Sequence, residues 1–384
     1  MLFSVSFIIF ATMMMHSIVD QTWAGFLGRA ILHRDDASTR SVHAGRSVLV
    51  TGAAGSIGSV LARALATASP RRLILLDRSR RRLDSLTRDI RADSPNVPLI
   101  SVVADITHAP ALDHLFATQQ PEVVYHAAAF KHVPQLESDP FVAIRNNALG
   151  TDELSRAAVR HHSETLVMIS TDKAVNPHSI MGATKRIAEM ILMRGASGQT
   201  CMRALRLGNV LASRGSVVPV FRRQILHGGP VTVTHPEVSR YFFTLGEAGT
   251  LVLAAASLSG SGSILVPQLG SPHKIVDLAR YMIDGQDDIP VVFTGLRPGE
   301  KMAEQMLSSC ETVDPKAELE LYRVHNATAP LDNLDDSIAA LEQSATQNNL
   351  AAALRIVQRM VPEYKPSDSL TQLLDSGHHR MATA

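Results

Sequence analysis

The residues best suited to chemistry stand together at positions 170–173, where serine, threonine, aspartate and lysine follow one another. Thr171, Asp172 and Lys173 bring a hydroxyl, a carboxylate and an amine to one short segment, and such a set can carry out general acid–base catalysis. The segment follows an apolar run, Leu166–Ile169, that predicts a buried strand. Because ligands of open α/β sheets bind beyond the carboxyl ends of strands, we expect these side chains to face a ligand crevice. The alternative is that Thr171 and Asp172 only cap the following turn.

A second pair of relevant positions lies downstream, at Met181 and Lys185. Residues four apart are neighbours on one helix face, and the spacing is that of a Y-x-x-x-K pair. A methionine stands where the tyrosine would be, and its thioether can neither take nor give a proton. We count both positions with the catalytic set, and the group that replaces tyrosine as proton acceptor stays open.

Gly52, Gly55 and Gly58 form a glycine-rich turn of the pattern G-x-x-G-x-x-G, after an apolar strand and before a helix. In this context glycines let the backbone turn tightly and approach a pyrophosphate closely. The N-terminus of the following helix then offers free N–H groups to the phosphates. Asp77, at the end of the next strand, has about the spacing of a carboxylate that meets the adenosine ribose. These features predict a dinucleotide site; the alternative is a glycine-rich turn without a ligand.

The residues around Asp77 bear on the choice of cofactor. Asp77 favours a free ribose 2′-hydroxyl and hence NAD, whereas Arg78 and Ser79 suit the 2′-phosphate of NADP. We favour NADP, NAD stays open, and the run Arg78–Arg82 has a solvated helix start as its alternative interpretation. Asp105 follows the third strand, where it either contacts adenine or caps a helix. The complete set of residues that we assign to the cofactor is Gly52, Gly55, Ser56, Ile57, Gly58, Asp77, Arg78, Ser79, Asp105, Ile106, Ala127, Ala128 and Lys185.

Alternating strands and helices must position these residues. Nearly continuous apolar strands in β-α-β order are typical of a parallel sheet with both faces covered, so we predict an α/β fold with a doubly wound Rossmann sheet. Gly208–Pro236 has the composition of loops on that sheet, Thr312–Asn333 that of a polar connector, and Leu334–Met360 that of helix. The predicted strands are Ser47–Val50, Leu73–Leu76, Leu99–Val103, Glu122–Tyr125 and Leu166–Ile169, and the predicted helices are Ser59–Ala68 and Ala111–Ala117.

The composition argues against several classes of protein. The chain has 384 residues, with 37 Lys and Arg against 36 Asp and Glu, so its charge gives no case for nucleic-acid binding. Aromatic residues make up 4% of the chain, which argues against a base-stacking surface. The two cysteines, Cys201 and Cys310, lie far apart and form no C-x-x-C pair, which excludes a disulfide scaffold and predicts no metal site.

The first residues differ from the rest of the chain. Leu2–Met15 is almost entirely apolar, but it is shorter than the roughly 20 residues of a membrane-spanning helix. It also lacks the basic start and the clear cleavage site of a signal peptide. A membrane anchor or its remnant and a loosely docked tail both stay open. We expect a cytoplasmic protein, with the inner face of a membrane as an open alternative if this tail makes contact there.

Several longer motifs resemble those of one family. The chain is similar to extended short-chain dehydrogenase/reductases, and in particular to UDP-N-acetylglucosamine 4,6-dehydratases of the CapD-like polysaccharide-biosynthesis family. The similarity extends from about Phe26 to Pro366 and corresponds to the catalytic part of that family's long, membrane-anchored branch. The segments that carry it are 51–58, 126–134, 147–151, 170–177, 181–186, 206–216, 240–244, 294–301 and 361–364.

The resemblance implies a Rossmann domain with a smaller C-terminal substrate-binding domain. We divide the chain into an apolar N-terminal tail (1–25), a linker (26–45) and an NAD(P)-binding domain (46–310), with sugar-nucleotide-binding segments interleaved from about residue 208. A helical extension (311–366) and a disordered tail (367–384) complete the division. The expected partners are a UDP-sugar substrate and further copies of the chain in a homo-oligomer, with no nucleic acid and with membrane contact only through the N-terminal tail.

The resemblance also implies a reaction. A tightly bound NADP or NAD, regenerated in each turnover, oxidises the sugar at carbon 4, water is eliminated across carbons 5 and 6, and the hydride returns to carbon 6. Lys173 matches the base at carbon 5, and Asp172 matches the acid for the leaving hydroxyl. Thr171 matches the hydrogen-bonding partner of the oxygen at carbon 4, and Lys185 the ligand of the nicotinamide ribose. Such roles need a lowered pKa at the Lys173 amine and a raised pKa at the Asp172 carboxyl, which burial can supply.

Substrate contacts follow from the same resemblance. The matching positions are Lys131, Asn209, Arg240, Arg297 and Glu300. Arginines suit the UDP pyrophosphate, and Glu300 suits a ribose hydroxyl; a surface ion pair or a loop hydrogen bond is the alternative for each.

Met181 does not by itself predict inactivity, because the long branch often carries methionine there. Two other functions stay open, namely a UDP-sugar epimerase and a non-catalytic nucleotide-binding subunit of a polysaccharide assembly complex. The Asp172–Lys173 pair favours dehydration, because elimination needs an additional acid and base.

Overall fold

The structure is a computed structural model that describes residues 23–32, 41–195, 198–268, 270–285, 288–325 and 333–372. Most of the predicted N-terminal tail, and residues 373–384 of the predicted C-terminal tail, lie outside these ranges. Within the described ranges, no helix combines the length and the apolar character that crossing a membrane requires.

The fold is organised by one nine-stranded sheet whose order is β14-β15-β11-β6-β5-β4-β1-β2-β3. Seven neighbouring strands, from β11 to β3, run parallel, and β15 and β14 are added antiparallel at one edge. The strands of this sheet are β1 (Ser47–Thr51), β2 (Arg72–Asp77), β3 (Leu99–Val103), β4 (Val123–His126), β5 (Thr165–Thr171), β6 (Cys201–Leu207), β11 (Ser263–Pro267), β14 (Thr312–Val313) and β15 (Leu321–His325).

Helices cover both faces of this sheet, as a parallel α/β architecture requires. Leu61 and Leu65 of the first helix are fully buried, and so are all five residues of β1. The predicted α/β doubly wound fold is thereby confirmed. The helices are α1 (Ser56–Ala66), α2 (Arg80–Asp93), α3 (Ala109–Gln119), α4 (Val133–Ser138), α5 (Pro140–Ala143), α6 (Gly150–Arg160), α7 (Ile180–Arg194), α8 (Val217–Leu226), α9 (Leu245–Ser257), α10 (Ile275–Ile283), α11 (Leu334–Thr346) and α12 (Leu350–Met360), with a π-helical turn at Ile144–Leu149 and a 3₁₀ turn at Asp172–Ala174.

The strand order reverses between β1 and its two neighbours β2 and β4. At this point the chain leaves β1 toward one side of the sheet and returns on the other, so a crevice opens beyond the carboxyl ends of the strands. The glycine-rich turn follows β1, and the Thr171–Asp172–Lys173 segment follows β5. Both predicted motifs therefore lie at the same edge of the sheet.

Two predictions for the C-terminal part of the chain were wrong. The segment assigned as a polar connector, Thr312–Asn333, contains β14 and β15, and Leu321 is buried where β15 pairs with β11. The predicted disordered tail begins too early, because residues 368–372 form a helical turn and Leu370 is fully buried. Ser367 donates a hydrogen bond to the Glu137 carboxylate, which fixes the start of this turn against the body of the protein.

A second, smaller hydrophobic core lies apart from the core of the sheet. Helices α8 and α10 pack there around residues such as Phe221, Val231 and Leu278. The helical turn at 23–27 packs on the same core, where Phe26 meets the ring of Phe242 edge-on. Three pairs of short strands belong to this part of the chain, namely β7 (Asn209–Val210) with β10 (Phe242–Phe243), β8 (Val231–Val233) with β13 (Val291–Phe293), and β9 (Ser239–Arg240) with β12 (His273–Lys274).

Candidate active site

The turn after β1 is built so that only glycine fits at two positions. Gly52 has φ of 62°, and a Cβ there would lie 2.7 Å from the backbone of Ala128. A Cβ on Gly58 would lie 2.2 Å from the carbonyl oxygen of Gly52, so α1 packs directly against the turn. Gly55 is the N-cap of α1 and has no side chain to occupy the first N–H groups of the helix. Those N–H groups remain available to an anion such as a pyrophosphate.

A cavity of about 630 Å³ opens above this turn. All residues that the sequence analysis assigned to the cofactor lie on its wall, from the glycine-rich turn to Lys185. Four of the five proposed catalytic residues line it as well, namely Thr171, Lys173, Met181 and Lys185. The two sequence motifs therefore face one shared space, which is large enough for a dinucleotide fragment and part of a second ligand.

At one end of the cavity, both carboxylate oxygens of Asp77 accept backbone hydrogen bonds. The donors are the N–H groups of Ala54 at 3.0 Å and Ser79 at 2.8 Å. The guanidinium of Arg78 lies 4.1 Å from the centre of the Phe130 ring, in a cation–π contact that holds it along the cavity wall. Asp77 thus connects the glycine-rich turn after β1 to the residues that follow β2.

Two arginines that the sequence analysis did not assign to the site reach the same end of the cavity. Arg214 donates to the carbonyl of Ala54 at 2.7 Å, and its backbone N–H donates to the Ser56 hydroxyl at 3.0 Å. Arg82 lines the cavity from α2. Both also line an adjoining space of about 350 Å³ beside Ala54. Arg214 belongs to the family-matching segment 206–216, which was the signal that could have found it.

The acid–base set lies where β5 ends. Thr171 is the last residue of the strand, and its hydroxyl donates to Asp172 Oδ1 at 2.9 Å. Lys173 Nζ donates to the same oxygen at 2.8 Å and to Asn209 Oδ1 at 3.0 Å. The Thr171 hydroxyl also accepts from the Lys173 N–H at 3.4 Å, so Thr171 caps the turn as well as facing the cavity.

Asp172 itself is fully buried behind Thr171 and Lys173 and does not reach the cavity wall. Among the described residues, its second carboxylate oxygen has no hydrogen-bond partner. Burial raises the pKa of the Asp172 carboxyl, against the opposing effect of the Lys173 charge. This direction agrees with the expectation for a proton donor. The two groups that contact it, the Lys173 amine and the Thr171 hydroxyl, both belong to residues on the cavity wall.

The expected lowering of the Lys173 pKa is contradicted by its surroundings. Burial lowers the pKa of Lys173, but the charges of Asp172 and Glu304 outweigh it, and the net pKa is raised. Glu304 Oε1 lies 3.7 Å from Lys173 Nζ, and its side chain is buried. Glu304 lies just beyond the family-matching segment 294–301 and was not among the predicted site residues. In this structure Lys173 is therefore an ammonium group held between two acids.

The other two lysines of the cavity have lowered pKa values. Burial lowers the pKa of Lys185 to about 8. Burial, together with the charge of Lys173, also lowers the pKa of Lys131, whose amine donates to the Ser213 hydroxyl at 3.1 Å. Lys131 and Asn209, two of the predicted substrate residues, lie on the cavity wall. The cavity therefore presents several amines around the position where the tyrosine is replaced by Met181.

The structure does not bring the other three predicted substrate residues to this wall. Arg240 is buried, and it donates to Glu300 at 3.1 Å and to the carbonyl of Met302 at 3.3 Å. Glu300 also accepts from the Thr234 hydroxyl at 3.1 Å and from the Arg297 N–H at 3.1 Å. Arg297 is exposed. In this arrangement Arg240 and Glu300 pair with each other, and the substrate contacts of all three residues stay predictions.

A buried charge network lies directly behind the acid–base set. The Ser170 hydroxyl donates to Glu189 at 2.6 Å, and Glu189 in turn pairs with Arg206 at 2.9 Å. Arg206 also pairs with Glu311 at 2.8 Å. This network connects β5, α7, β6 and the 306–311 loop, so it fixes the strand end that carries Thr171. Across the described residues, no cluster of three or more His, Cys, Asp or Glu side chains is arranged to hold a metal ion.

Comparison with known proteins places this arrangement in a family context. A family profile described as "Polysaccharide biosynthesis protein" matches residues 48–326. The probable polysaccharide biosynthesis protein EpsC of Bacillus subtilis is 44% identical over 291 residues, which are 74% of this chain and 49% of EpsC. The capsular polysaccharide biosynthesis protein CapD of Staphylococcus aureus is 43% identical over 304 residues, 77% of this chain and 51% of CapD. The chain thus spans about half the length of these two relatives.

Three other similar proteins include two that are nucleotide-sugar enzymes by name. A UDP-glucose 4-epimerase of Rickettsia rickettsii is 32% identical over 76% of this chain and 84% of its own length. The solved structure of Pen from Bacillus thuringiensis is 27% identical, covers 75% of this chain and 89% of its own, and has a TM-score of 0.67. DesIV, a dTDP-glucose 4,6-dehydratase from Streptomyces venezuelae solved with NAD and TYD, is 20% identical over 67% of this chain and 87% of its own, and shares the fold with a TM-score of 0.60.

Proposed function

This chain belongs to the polysaccharide biosynthesis protein family, as a CapD-like extended short-chain dehydrogenase/reductase, and we propose that it is a nucleotide-sugar 4,6-dehydratase. The proposed substrate is UDP-N-acetylglucosamine and the proposed product a UDP-4-keto-6-deoxy sugar. The observation that carries the proposal is the Asp172–Lys173 contact of 2.8 Å behind a cavity that also holds the glycine-rich turn. Water elimination needs an acid and a base beyond those of a simple oxidation, and this pair supplies them.

The cofactor proposal rests on the fit of the turn. Gly52 and Gly58 leave no room for side chains, and the start of α1 offers N–H groups to a pyrophosphate. A nicotinamide bound there supplies the hydride acceptor for carbon 4 and the hydride donor for carbon 6. Lys185, which lines the same cavity, is proposed to hold the nicotinamide ribose through its ammonium group.

We propose NADP rather than NAD because two arginines other than Arg78 lie close to the glycine-rich turn. Arg82 and Arg214 line both the cavity and the adjoining space beside Ala54, and guanidinium groups bind phosphate well. Arg214→Ala should weaken NADP binding about tenfold or more and leave NAD binding nearly unchanged, as expected for a lost charge-assisted hydrogen bond. Arg91→Ala, at an exposed position on the same helix as Arg82, is the control. Equal losses for both cofactors would contradict the assignment.

The roles of the chain's own groups follow from their positions. Thr171 is proposed to hydrogen-bond the oxygen at carbon 4. The proton for the leaving hydroxyl at carbon 6 is proposed to pass from Lys173, which is the member of the pair on the wall. The amine that remains accepts the proton from carbon 5 and later returns it there, and Asp172 then donates the proton that restores the Lys173 ammonium. The protons taken from the hydroxyl at carbon 4 and from carbon 5 balance those given to the leaving water and back to carbon 5.

The substrate class follows from the charge of the cavity. Lys131 and Lys173 place two amines on the wall, and Asn209 adds an amide that already contacts Lys173 at 3.0 Å. Such a wall favours an anionic ligand with hydroxyl groups, which describes a nucleotide sugar. The homo-oligomer, the cytoplasmic location and the membrane contact of the N-terminal tail stay predictions.

The test is mass spectrometry of UDP-N-acetylglucosamine after incubation with the purified protein and each nicotinamide cofactor. We expect a product lighter by one water, and NMR at carbon 5 then distinguishes retention from inversion. Lys173→Met should abolish this product, and Lys316→Met, at an exposed position between β14 and β15, should not. A melting curve for each variant checks that it is folded.

Other outcomes would identify other functions. A new isomer of unchanged mass would indicate an epimerase, the second candidate, which the similarity to the Rickettsia epimerase favours. Nucleotide binding without turnover of UDP-N-acetylglucosamine or of other UDP-sugars would indicate a binding subunit. Full activity in Lys173→Met would show that the acid–base assignment is wrong even if the dehydratase assignment is right.

A further inference from the structure

We propose that Glu304 is a positioning residue for this site: its carboxylate holds the Lys173 ammonium between two acids and thereby keeps Asp172 available as a proton donor. The proposal rests on the proposed function, because the proton donor matters only for an acid–base reaction. Glu304 does not line the cavity, so it acts through Lys173 and not on the substrate.

The contacts of Glu304 are specific. Its Oε1 lies 3.7 Å from Lys173 Nζ and 4.0 Å from Arg240 Nε, and its Oε2 lies 3.0 Å from Lys301 Nζ. The Glu304 side chain is 3% exposed. A carboxylate at such depth is costly unless cations surround it, and three do.

The backbone around Glu304 is fixed on both sides, so its carboxylate has little freedom to move away. The carbonyl of Met302 accepts from the Ser239 N–H at 2.9 Å. The carbonyl of Met306 accepts from the buried Arg206 at 2.8 Å. Lys301 also donates to the carbonyl of Val175 at 2.8 Å, directly after the 3₁₀ turn of the acid–base set.

The charges near Asp172 indicate how Glu304 affects the pKa of this acid. The cation in contact with Asp172 is Lys173, and its charge favours the ionised form of the carboxyl. The negative charge of Glu304 opposes this effect, and it acts to raise the pKa of both Asp172 and Lys173. The charged and titratable groups that face this cluster are Asp172, Lys173, Lys131, His178, Arg240, Lys301 and Glu300.

The first test does not require turnover. Protein labelled with ¹³C at lysine Cε is titrated and followed by NMR, with Lys173→Arg used to assign the Lys173 signal. In Glu304→Gln, which keeps the shape and removes the charge, the Lys173 signal should titrate at least about one pH unit lower than in the wild type. Glu304→Asp should retain most of the wild-type value. An unchanged titration in Glu304→Gln would overturn the proposal.

The second test uses the pH dependence of dehydration. If Asp172 must be protonated, activity falls on the alkaline side, and Glu304→Gln should move this fall to lower pH by a similar amount. Glu237→Gln is the control, because Glu237 is an exposed acid that pairs with Lys274 and is not among the groups that face this cluster. We expect it to leave the position of the fall unchanged, whatever its effect on KM. A uniform loss at every pH in Glu304→Gln would indicate a merely structural residue and would overturn the proposal.

A variant that removes a cation instead of an anion distinguishes a charge effect from a folding defect. Lys301→Met removes a cation beside Glu304, so the Lys173 titration should move to higher pH. The same direction of shift in Lys301→Met as in Glu304→Gln would contradict the charge argument. A shifted Lys173 titration in a protein that dehydrates no nucleotide sugar would refute the proposed function and leave the positioning of Lys173 by Glu304 established.

Discussion

Replacement of Arg206 by methionine should destabilise the protein strongly, because Arg206 is the cation at the centre of the charge network behind the site. The Arg206 side chain is 0% exposed. Its guanidinium pairs with Glu189 at 2.9 Å and with Glu311 at 2.8 Å, and it donates to the carbonyl of Met306 at 2.8 Å. Methionine fills part of the same space, so the main effect is that two buried carboxylates lose their shared partner.

The expected magnitude follows from what remains after the change. Breaking a buried ion pair by removing one partner costs about 3–5 kcal/mol. Arg186 still lies 2.9 Å from Glu189 and 3.4 Å from Glu311, so one cation is left for two acids. We therefore expect a loss near the lower limit, about 3 kcal/mol in the free energy of unfolding.

Urea unfolding at pH 7 measures this loss, and Arg63→Met is the matched control. Arg63 also faces two carboxylates, Asp89 at 2.7 Å and Asp93 at 3.4 Å, but its side chain is 30% exposed. Exposed pairs contribute at most about 1 kcal/mol, since water screens them. A loss in Arg206→Met no larger than that in Arg63→Met would refute the reasoning.

The same variant changes the response to acid. Burial acts to raise the pKa of Glu189, but Arg206 outweighs it and the pKa falls to about 2. A carboxyl with a lowered pKa stabilises the fold above its unfolded value, about 4.5, and this stability is lost as pH falls from there toward 2. Without Arg206, burial raises this pKa. The wild type should therefore lose stability between pH 5 and pH 3 more steeply than Arg206→Met, and equal slopes would count against the assignment.

Three further predictions concern the cavity. Gly58→Ala should abolish cofactor binding, measured by calorimetry, because its Cβ would lie 2.2 Å from the carbonyl oxygen of Gly52; binding at wild-type affinity would contradict this geometry. Burial lowers the pKa of Lys185 to about 8, so its charge is lost as pH rises through this value. NADP binding should then weaken between pH 7 and pH 9, and equal affinity at both would speak against a ribose contact. Met181→Tyr should retain dehydration, measured by mass spectrometry, because Met181 contributes no proton; a complete loss with intact folding would show that the methionine shape is required.

The Rossmann sheet and the cofactor turn could be predicted because their determinants are local in the sequence. An apolar strand, a glycine-rich turn and an amphipathic helix follow one another, and the periodicity of each is visible without any distant partner. The strand predicted at Leu99–Val103 has the same bounds in the structure. The rule that ligands bind beyond the carboxyl ends of parallel strands then brought Thr171 and Gly52 to one crevice.

The edge strands could not be predicted, because pairing rather than composition makes them strands. β15 contains an arginine and a histidine, and only Leu321 and Val324 of its five residues are buried. Its extended form depends on the register with β11, far away in the sequence. The turn at 368–372 is similar, since a single buried leucine and the contact between Ser367 and Glu137 hold it.

The contacts at the site could not be predicted for the same reason. Arg240 and Glu300 were assigned to the substrate because each lies in a family-matching segment, and the sequence did not predict that they contact each other at 3.1 Å. Their assignment to the substrate stays a prediction. Glu304 was missed because nothing in a loop of alternating acids and bases tells which of them meets Lys173. A sequence gives the types of charge, whereas the pKa of each group depends on which charges the fold brings together.

In the proposed mechanism, this dependence is how a site with methionine in place of tyrosine directs protons. Lys131, Lys173 and Lys185 give the cavity wall a positive potential that favours an anionic ligand, but the same potential favours the ionised form of any acid nearby. Asp172 avoids this effect in two ways, since it is fully buried and since the negative charge of Glu304 lies beside its partner Lys173. The proposed binding of an anionic ligand and the proposed acid catalysis place opposite demands on the charge of the cavity, and we propose that the buried carboxylate of Glu304 lets the site meet both.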